Sequence, residues 1–469
     1  VKRVDAGPRR PDDLIAQLRA ALGEGAVLTG DLEGYTRDWR GLVNFPALCV
    51  VRPADTAQLA AIVRICAAAG ARIVPQGGNT GLVAGGVPVD GGNQVIVSFA
   101  RMNRIRRLDV AGNTVTVEAG CVLKTVQDAA AAAGRLFPVS LGSEGSAQIG
   151  GLISTNAGGM NVLAYGSMRA QVLGLEVVLA DGAVWDGLRG LRKDNTGLDL
   201  KHIFIGAEGT LGLITAATLT LHPAVTARAT ALIGTGSVAE AMRIFAALRD
   251  IPGLILCEYV AGAAMALAGA HCAAPVPFAA DSYVLAEIAG PAAALETVLA
   301  GALENGLATD AVIAQSERER INLLALRDAV PDGELIEGGA VKHDVAVPLA
   351  AIADTVAGIE ALVAAKYPEC RLNIFGHLGD GNLHINVRPP PGQTVADLGA
   401  RKAAITADVE AVAVAHAGSF SAEHGIGQLR QAGMAAHKSG VELALMRAIK
   451  AALDPLSLFN PNKMLPPAC

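Results

Sequence analysis

Directly after a short β-type run, the twelve residues Pro75-Gln-Gly-Gly-Asn-Thr-Gly-Leu-Val-Ala-Gly-Gly86 contain five glycines, at 77, 78, 81, 85 and 86. Glycine reaches positive φ at no steric cost, so backbone N–H groups can turn inward there and make a nest for an anion such as a pyrophosphate. A second stretch, Gly150-Gly-Leu-Ile-Ser-Thr-Asn-Ala-Gly-Gly159, reads as another loop and adds Ser154, Thr155 and Asn156 as hydrogen-bonding groups. Two such loops can clasp a long dinucleotide. Neither matches GxGxxG ahead of a helix, and for either loop alone an ordinary tight turn explains the glycines about as well.

At 469 residues the chain exceeds one compact core, and two lobes with a cleft are expected. From Pro46 to Pro223, runs such as QVIVSF, TVTVEAG and LGLITAATLTL alternate with glycine-rich loops and helices over 56–69 and 123–133. Past His222-Pro223 the texture shifts to ARATALIG, GLILCEYV and SYVLAEIAG, set between alanine-rich helices over 238–248, 292–305 and 349–365. The pattern is α+β throughout, with pieces at 1–223, 224–418 and a short tail over 419–469 holding SAEHGIGQLR and a helix over 441–453.

Hydrophobic residues make up 52% and charged residues 17%, a globular balance. A net charge of -6, without basic runs, excludes nucleic acid as an expected partner. Seven scattered cysteines without a CxxC pair fit a reducing cytoplasm better than a disulfide framework. Arg9 and Arg10 lead into PDDLIAQLRAALGE, an amphipathic helix with acids, so export is not expected. The apolar run Leu59–Gly70 is broken by Arg64 and falls short of the roughly 20 residues of a membrane span.

In Asn373-Ile-Phe-Gly-His-Leu-Gly-Asp-Gly-Asn-Leu-His-Ile-Asn-Val387, two histidines flank a glycine-bearing turn between strands, so His377 and His384 can face one point. His384 and Asn386, two apart, share a face, and Asn386 is assigned to the substrate; Leu383 and Ile385 turn to the core. Asp380 fits a turn former better than a partner of the ligands. Downstream, Ser421-Ala-Glu-His-Gly-Ile-Gly427 sets Glu423 beside His424, and adjacent side chains are expected to diverge. Two histidines and a glutamate suit a catalytic Zn²⁺ or similar divalent ion with one position open for substrate, while each residue alone also fits a satisfied turn.

PQGGNTGLVAGG, GGLISTNAGG and FIGAEGTLGLIT together resemble the FAD-binding (PCMH-type) domain of the vanillyl-alcohol oxidase superfamily. LRKDNTGLDLKHIFIGAEGTLG, GHLGDGNLH and SAEHGIG are similar to its D-2-hydroxyglutarate and D-lactate dehydrogenase branch, and the resemblance covers nearly the whole chain. It implies an FAD-binding domain, an α+β substrate or cap domain and a C-terminal segment closing the active site. FAD contacts carry over to Gly77, Gly78, Asn79, Thr80, Gly81, Gly142, Ser143, Gly150, Ser154, Asn156, Gly159 and Ile214, with Glu208 and Asn460 as further candidates. Members that attach FAD covalently through the first loop use a histidine just after the paired glycines; Asn79 stands there, which implies a dissociable flavin.

The same resemblance assigns His377, His384 and Glu423 as metal ligands, His424 as the base, and Arg327 and Lys342 as cations for substrate carboxylates. One departure stands out: the 2-hydroxyglutarate enzymes place a threonine four residues after this arginine, and here the residue is Pro331. The implied reaction takes a D-2-hydroxy acid to its 2-oxo acid, with hydride passing to FAD and a divalent metal, Zn²⁺ or else Mn²⁺, at the hydroxyl. A separate flavoprotein, quinone or cytochrome would then accept the electrons, and a homodimer is one assembly the sequence allows. D-lactate or glycolate oxidation, a metal-dependent hydrolase with a nucleotide-binding half, and a catalytically silent flavin binder are the competing readings.

Overall fold

The computed structural model describes residues 11–467. Arg9, Arg10 and Cys469, which entered the expectations on export and cysteine pairing, lie outside the described residues. The chain divides into two compact units. One holds the residues up to Gly158, Ser167–Ala224 and everything from Glu423 on; the other holds Gly159–Gly166 and Val225–Ala422. The tail, read from the sequence as a piece of its own, is counted by its contacts with the first unit.

The first unit contains a four-stranded sheet in the order Val27–Leu28, Cys49–Val51, Gln94–Ser98, Arg72–Gln76, the last three strands parallel. Helix Thr56–Ala69 makes the crossover, and its limits follow from local chemistry. The Asp55 carboxylate accepts from the Gln58 amide at 2.8 Å at the N-cap, and Gly70, at φ 67°, ends the helix in the left-handed region. Leu59, Ile62, Val63 and Cys66 are its buried face. Where Arg72–Gln76 ends, the first glycine-rich stretch begins, and the Gln76 amide donates to the carbonyls of Tyr35 and Gly86, both at 2.8 Å, closing that stretch into a loop. The unit also holds a five-stranded antiparallel sheet in the order Ile105–Asp109, Thr114–Glu118, Leu213–Thr220, Val172–Val178, Val184–Gly187.

The second unit is a seven-stranded antiparallel sheet. Its order is Asp310–Ile313, Arg228–Thr235, Ser282–Ala289, Leu254–Ala261, Arg371–His377, Asn382–Arg388, Val341–Ala346. Both faces are covered. Helices Val238–Leu248, Ala293–Glu304, Ile352–Lys366 and Arg401–Ala415 supply the core on one side. Gly262–His271, Glu317–Asp328 and Val330–Ile336 cover the other. Among the described residues no helix is long and apolar enough to cross a membrane.

Candidate active site

In the first unit a cleft of about 1020 Å³, counting its open mouth, runs along the glycine-rich segments. Gly77, Gly78, Asn79, Thr80, Gly81, Gly150, Ser154, Glu208, Ile214, His424 and Asn460 line it. Gly142, Ser143 and Asn156 are not among its lining residues, and Gly159 belongs to the second unit. The second stretch departs from the expected loop: Ile149–Thr155 is a helix, and the Ser154 hydroxyl donates back to the Gly150 carbonyl at 2.7 Å. Asn156 ends that helix at φ 52°, and its side-chain oxygen accepts from Ser167 Oγ and the Arg169 amide. Two of the glycines serve opposite ends. A Cβ on Gly150 would fall 2.7 Å from Ala119 Cβ, so this glycine lets the helix lie against the end of a strand, whereas a Cβ on Gly151 would meet nothing within 4 Å and point into open space.

The cleft suits FAD on two counts. Backbone without side chains faces an open volume at Gly81 and Gly151, as close approach to a pyrophosphate requires. Gln148, which the sequence reading missed, also lines the cleft, and its Oε1 is buried without a hydrogen-bond partner among the described residues, an acceptor suited to a ligand N–H or O–H.

A polar knot fastens the C-terminal stretch to this cleft. Glu208, itself at φ 51°, accepts from the amides of Ile426 and Gly427, both at 2.7 Å. Asn460 Nδ2 donates to the carbonyls of Gly85 and Glu208, and Lys463 Nζ donates to Asn460 Oδ1 and the Val87 carbonyl. Burial pushes the Glu208 carboxyl up and the Lys463 ammonium down to about 7, although Glu208 pulls that lysine back toward its charged form. The knot brings His424 to the cleft wall. Glu423 and His424 do not diverge as expected: the carboxylate lies 3.8 Å from His424 Nε2, in a turn whose glycines 425 and 427 have positive φ.

In the second unit, strand register writes the remaining candidates as rows on one sheet face. Lys342, Asn386 and Asn373 form one row, Asp344, His384 and Phe375 the next, and Ala346, Asn382 and His377 the third, where His377 also faces Glu258. The alternate residues Val345, Leu383, Ile385 and Ile374 enter the core behind. Glu258, fully buried, accepts from His377 Nδ1 at 2.7 Å and from Arg327 Nε at 2.8 Å. Burial alone would raise its carboxyl, but His377 and Arg327 hold it below the usual range. In the neutral tautomer that donates Nδ1–H to this carboxylate, the lone pair of His377 is on Nε2, the arrangement that orients a metal-binding imidazole. The His384 ring stands edge-on to it, centroids 5.6 Å apart, and Asp344 lies 3.8 Å from His384 Nδ1. Asp344 accepts from Asn382 Nδ2 and from the amide of Ala422, the residue joined to Glu423. Asp380 caps the intervening turn by accepting from the Asn382 amide.

Both cations expected at the substrate carry carboxylate neighbours. Arg327 is held by Glu258 and lies over the Phe375 ring, and Lys342 Nζ is 3.3 Å from Glu334. Asn386 donates its amide to both oxygens of Glu334. Pro331 sits in the first turn of helix Val330–Ile336, the helix that carries Glu334. Glu258, Glu334 and Asp344 were all missed from the sequence. A lone acid inside the apolar run GLILCEYV was the one available signal for Glu258.

Residues 47–187 match the family described as "FAD binding domain", and residues 225–464 match "FAD linked oxidases, C-terminal domain". The chain belongs to the FAD-linked oxidases. It is an FAD-binding oxidoreductase of the α+β, two-domain PCMH-type fold. It is 38% identical to the mitochondrial D-2-hydroxyglutarate dehydrogenase of Bos taurus, over 99% of this chain and 86% of that one. It is 36% identical to the D-2-hydroxyglutarate dehydrogenase of Xanthomonas citri pv. viticola, over 92% of each. The fold is shared with p-cresol methylhydroxylase, at a TM-score of 0.78 and 16% identity over 97% of each chain. It is shared as well with 4-ethylphenol oxidase from Gulosibacter chungangensis, at a TM-score of 0.73 and 17% identity over 98% of this chain and 99% of that one.

Proposed function

We propose that this FAD-linked oxidoreductase oxidises a D-2-hydroxy acid to the 2-oxo acid. The relatives named for D-2-hydroxyglutarate make that acid the first substrate to try. The observation that carries the reading is the buried chain Arg327–Glu258–His377 beside His384: a guanidinium for a carboxylate and two oriented imidazoles on one sheet face. When bound, FAD supplies the two-electron acceptor and a divalent cation the Lewis acid at the substrate hydroxyl.

The residues divide the remaining work. His377 and His384 would hold the cation, and the family resemblance adds Glu423 as a ligand; Asp344 lies 3.8 Å from His384 Nδ1 and accepts from the amide of Ala422. Charge supports the need for a cation: the sheet-face cluster sets Glu258, Glu334 and Asp344 against Arg327 and Lys342 and has no positive excess for an anionic substrate. Arg327 orients the reacting carboxylate, His424 takes the hydroxyl proton, and Gly77–Gly81 with Gly150, Gly151 and Ser154 hold the dinucleotide without a covalent bond at Asn79. Electrons leave to a separate flavoprotein, quinone or cytochrome. Six described cysteines, all free thiols, suit a reducing compartment such as the cytoplasm.

The test is an anaerobic visible spectrum of the purified, metal-supplied protein before and after D-2-hydroxyglutarate, D-lactate and their L-enantiomers. Bleaching of the flavin band by the D-acids alone is the expected result. A flavin band that no hydroxy acid bleaches would overturn the reading.

A further inference from the structure

We infer that Glu334 sets substrate choice at the far end of the acid, disfavouring a second carboxylate and favouring an uncharged tail that ends in a hydroxyl. This rests on the proposed function, in which Arg327, His377 and His384 hold the reacting end. Successive same-face residues of a strand are about 7 Å apart. From the His384 row, the far end of a four- or five-carbon acid therefore reaches the row of Lys342, Asn386 and Asn373.

That row is occupied by a carboxylate. Glu334 is wholly buried, and it accepts from Asn373 Nδ2 at 3.1 Å and from Asn386 Nδ2 at 2.9 Å to each oxygen, with Lys342 Nζ 3.3 Å away. Lys342 is the row's cation, and its charge already faces this acid. A substrate carboxylate brought to Lys342 would enter a dry site beside a second negative charge, a juxtaposition that interfaces use to reject a partner. Asn386 points the same way. It is 2% exposed, its amide nitrogen is spent on Glu334, and its Oδ1 is buried without a hydrogen-bond partner among the described residues. An acceptor left so asks for a donor, which a hydroxyl has and a carboxylate lacks. Pro331 opens the same helix that presents Glu334.

The decisive comparison is stopped-flow flavin reduction of the holoenzyme by D-2-hydroxyglutarate and by (R)-2,5-dihydroxypentanoate, the same carbon chain with its far carboxylate replaced by an alcohol. In the natural sequence the ratio of reduction rate constant to Kd should favour the alcohol by tenfold or more, chiefly through Kd. Glu334→Gln should move the ratio of the two at least tenfold toward the dicarboxylate; because both are measured on one preparation, a general loss of activity cancels. A natural sequence that prefers D-2-hydroxyglutarate, or a ratio that Glu334→Gln leaves unmoved, overturns the inference while the proposed function stands. A flavin that neither these acids nor D-lactate bleaches overturns both.

Discussion

An imidazole at the wall of a flavin cleft can be a base or merely a lining group, and the two make different demands on a substitution. His424 stands 3.8 Å from Glu423 in a backbone pinned through the amides of Ile426 and Gly427, so replacing its ring leaves the pinning contacts intact. His424→Gln should therefore keep the flavin spectrum and slow substrate-driven flavin reduction by about 10²- to 10⁴-fold, the usual worth of a positioned general base. Stopped-flow absorbance checks it, and a reduction rate within threefold of the natural protein would remove the residue from that role. Lys463 makes a second residue-scale demand. Burial lowers its folded pKa to about 7, while an unfolded lysine holds its proton to about 10.4. Between these values the unfolded chain binds more protons, so stability rises with pH through that window, and below it the buried ammonium is a standing cost. Thermal melts from pH 6.5 to 9.5 should show this upward slope, and Lys463→Met, with nothing to titrate there, should flatten it.

At the scale of elements, what was legible was what local chemistry decides. Helix Thr56–Ala69 could be read to the residue because Asp55 and Gly70 bound an apolar periodicity, and the two strands around His377 and His384 announced themselves by alternation and a glycine turn. Helix Ile149–Thr155 was not legible, since each glycine inside a helix costs about 1 kcal/mol relative to alanine and two adjacent ones argue for a loop. Packing against Ala119 settles it, and nothing nearby in sequence reports that contact. Strand Val341–Ala346 escaped for a related reason: its Lys342 and Asp344 face a buried polar surface, so the usual apolar alternation is absent. Glu334 left no signal because its partners Asn373 and Asn386 are brought to it only by the tertiary fold. The paired glycines at 150 and 151 give a direct test of the division of labour. Gly150→Ala pushes a methyl into Ala119 and should lower stability by about 1–3 kcal/mol in denaturant melts. Gly151→Ala points its methyl into open cleft and should raise the apoprotein's stability by up to about 1 kcal/mol while raising the FAD dissociation constant tenfold or more by fluorescence titration.

Over the whole molecule the chain passes from one compact unit to the other four times, after residues 158, 166, 224 and 422. The last passage separates Ala422, whose amide is held by Asp344, from Glu423, which begins the stretch that carries His424. A cation held by His377 and His384 would rest beside the strand row that His384 shares with Asp344. Its removal should act on chemistry and stability while sparing the flavin, whose cleft is built from first-unit residues alone. Dialysis against a chelator is expected to leave the FAD absorbance and stoichiometry unchanged, to abolish bleaching by D-2-hydroxy acids, and to lower the melting temperature. Restoring Zn²⁺ or Mn²⁺ at a hundredfold excess over its dissociation constant should return the activity with about 2.7 kcal/mol of added stability. Full turnover in a preparation shown by elemental analysis to be metal-free would take the cation out of the mechanism and leave Arg327 and His424 to act alone.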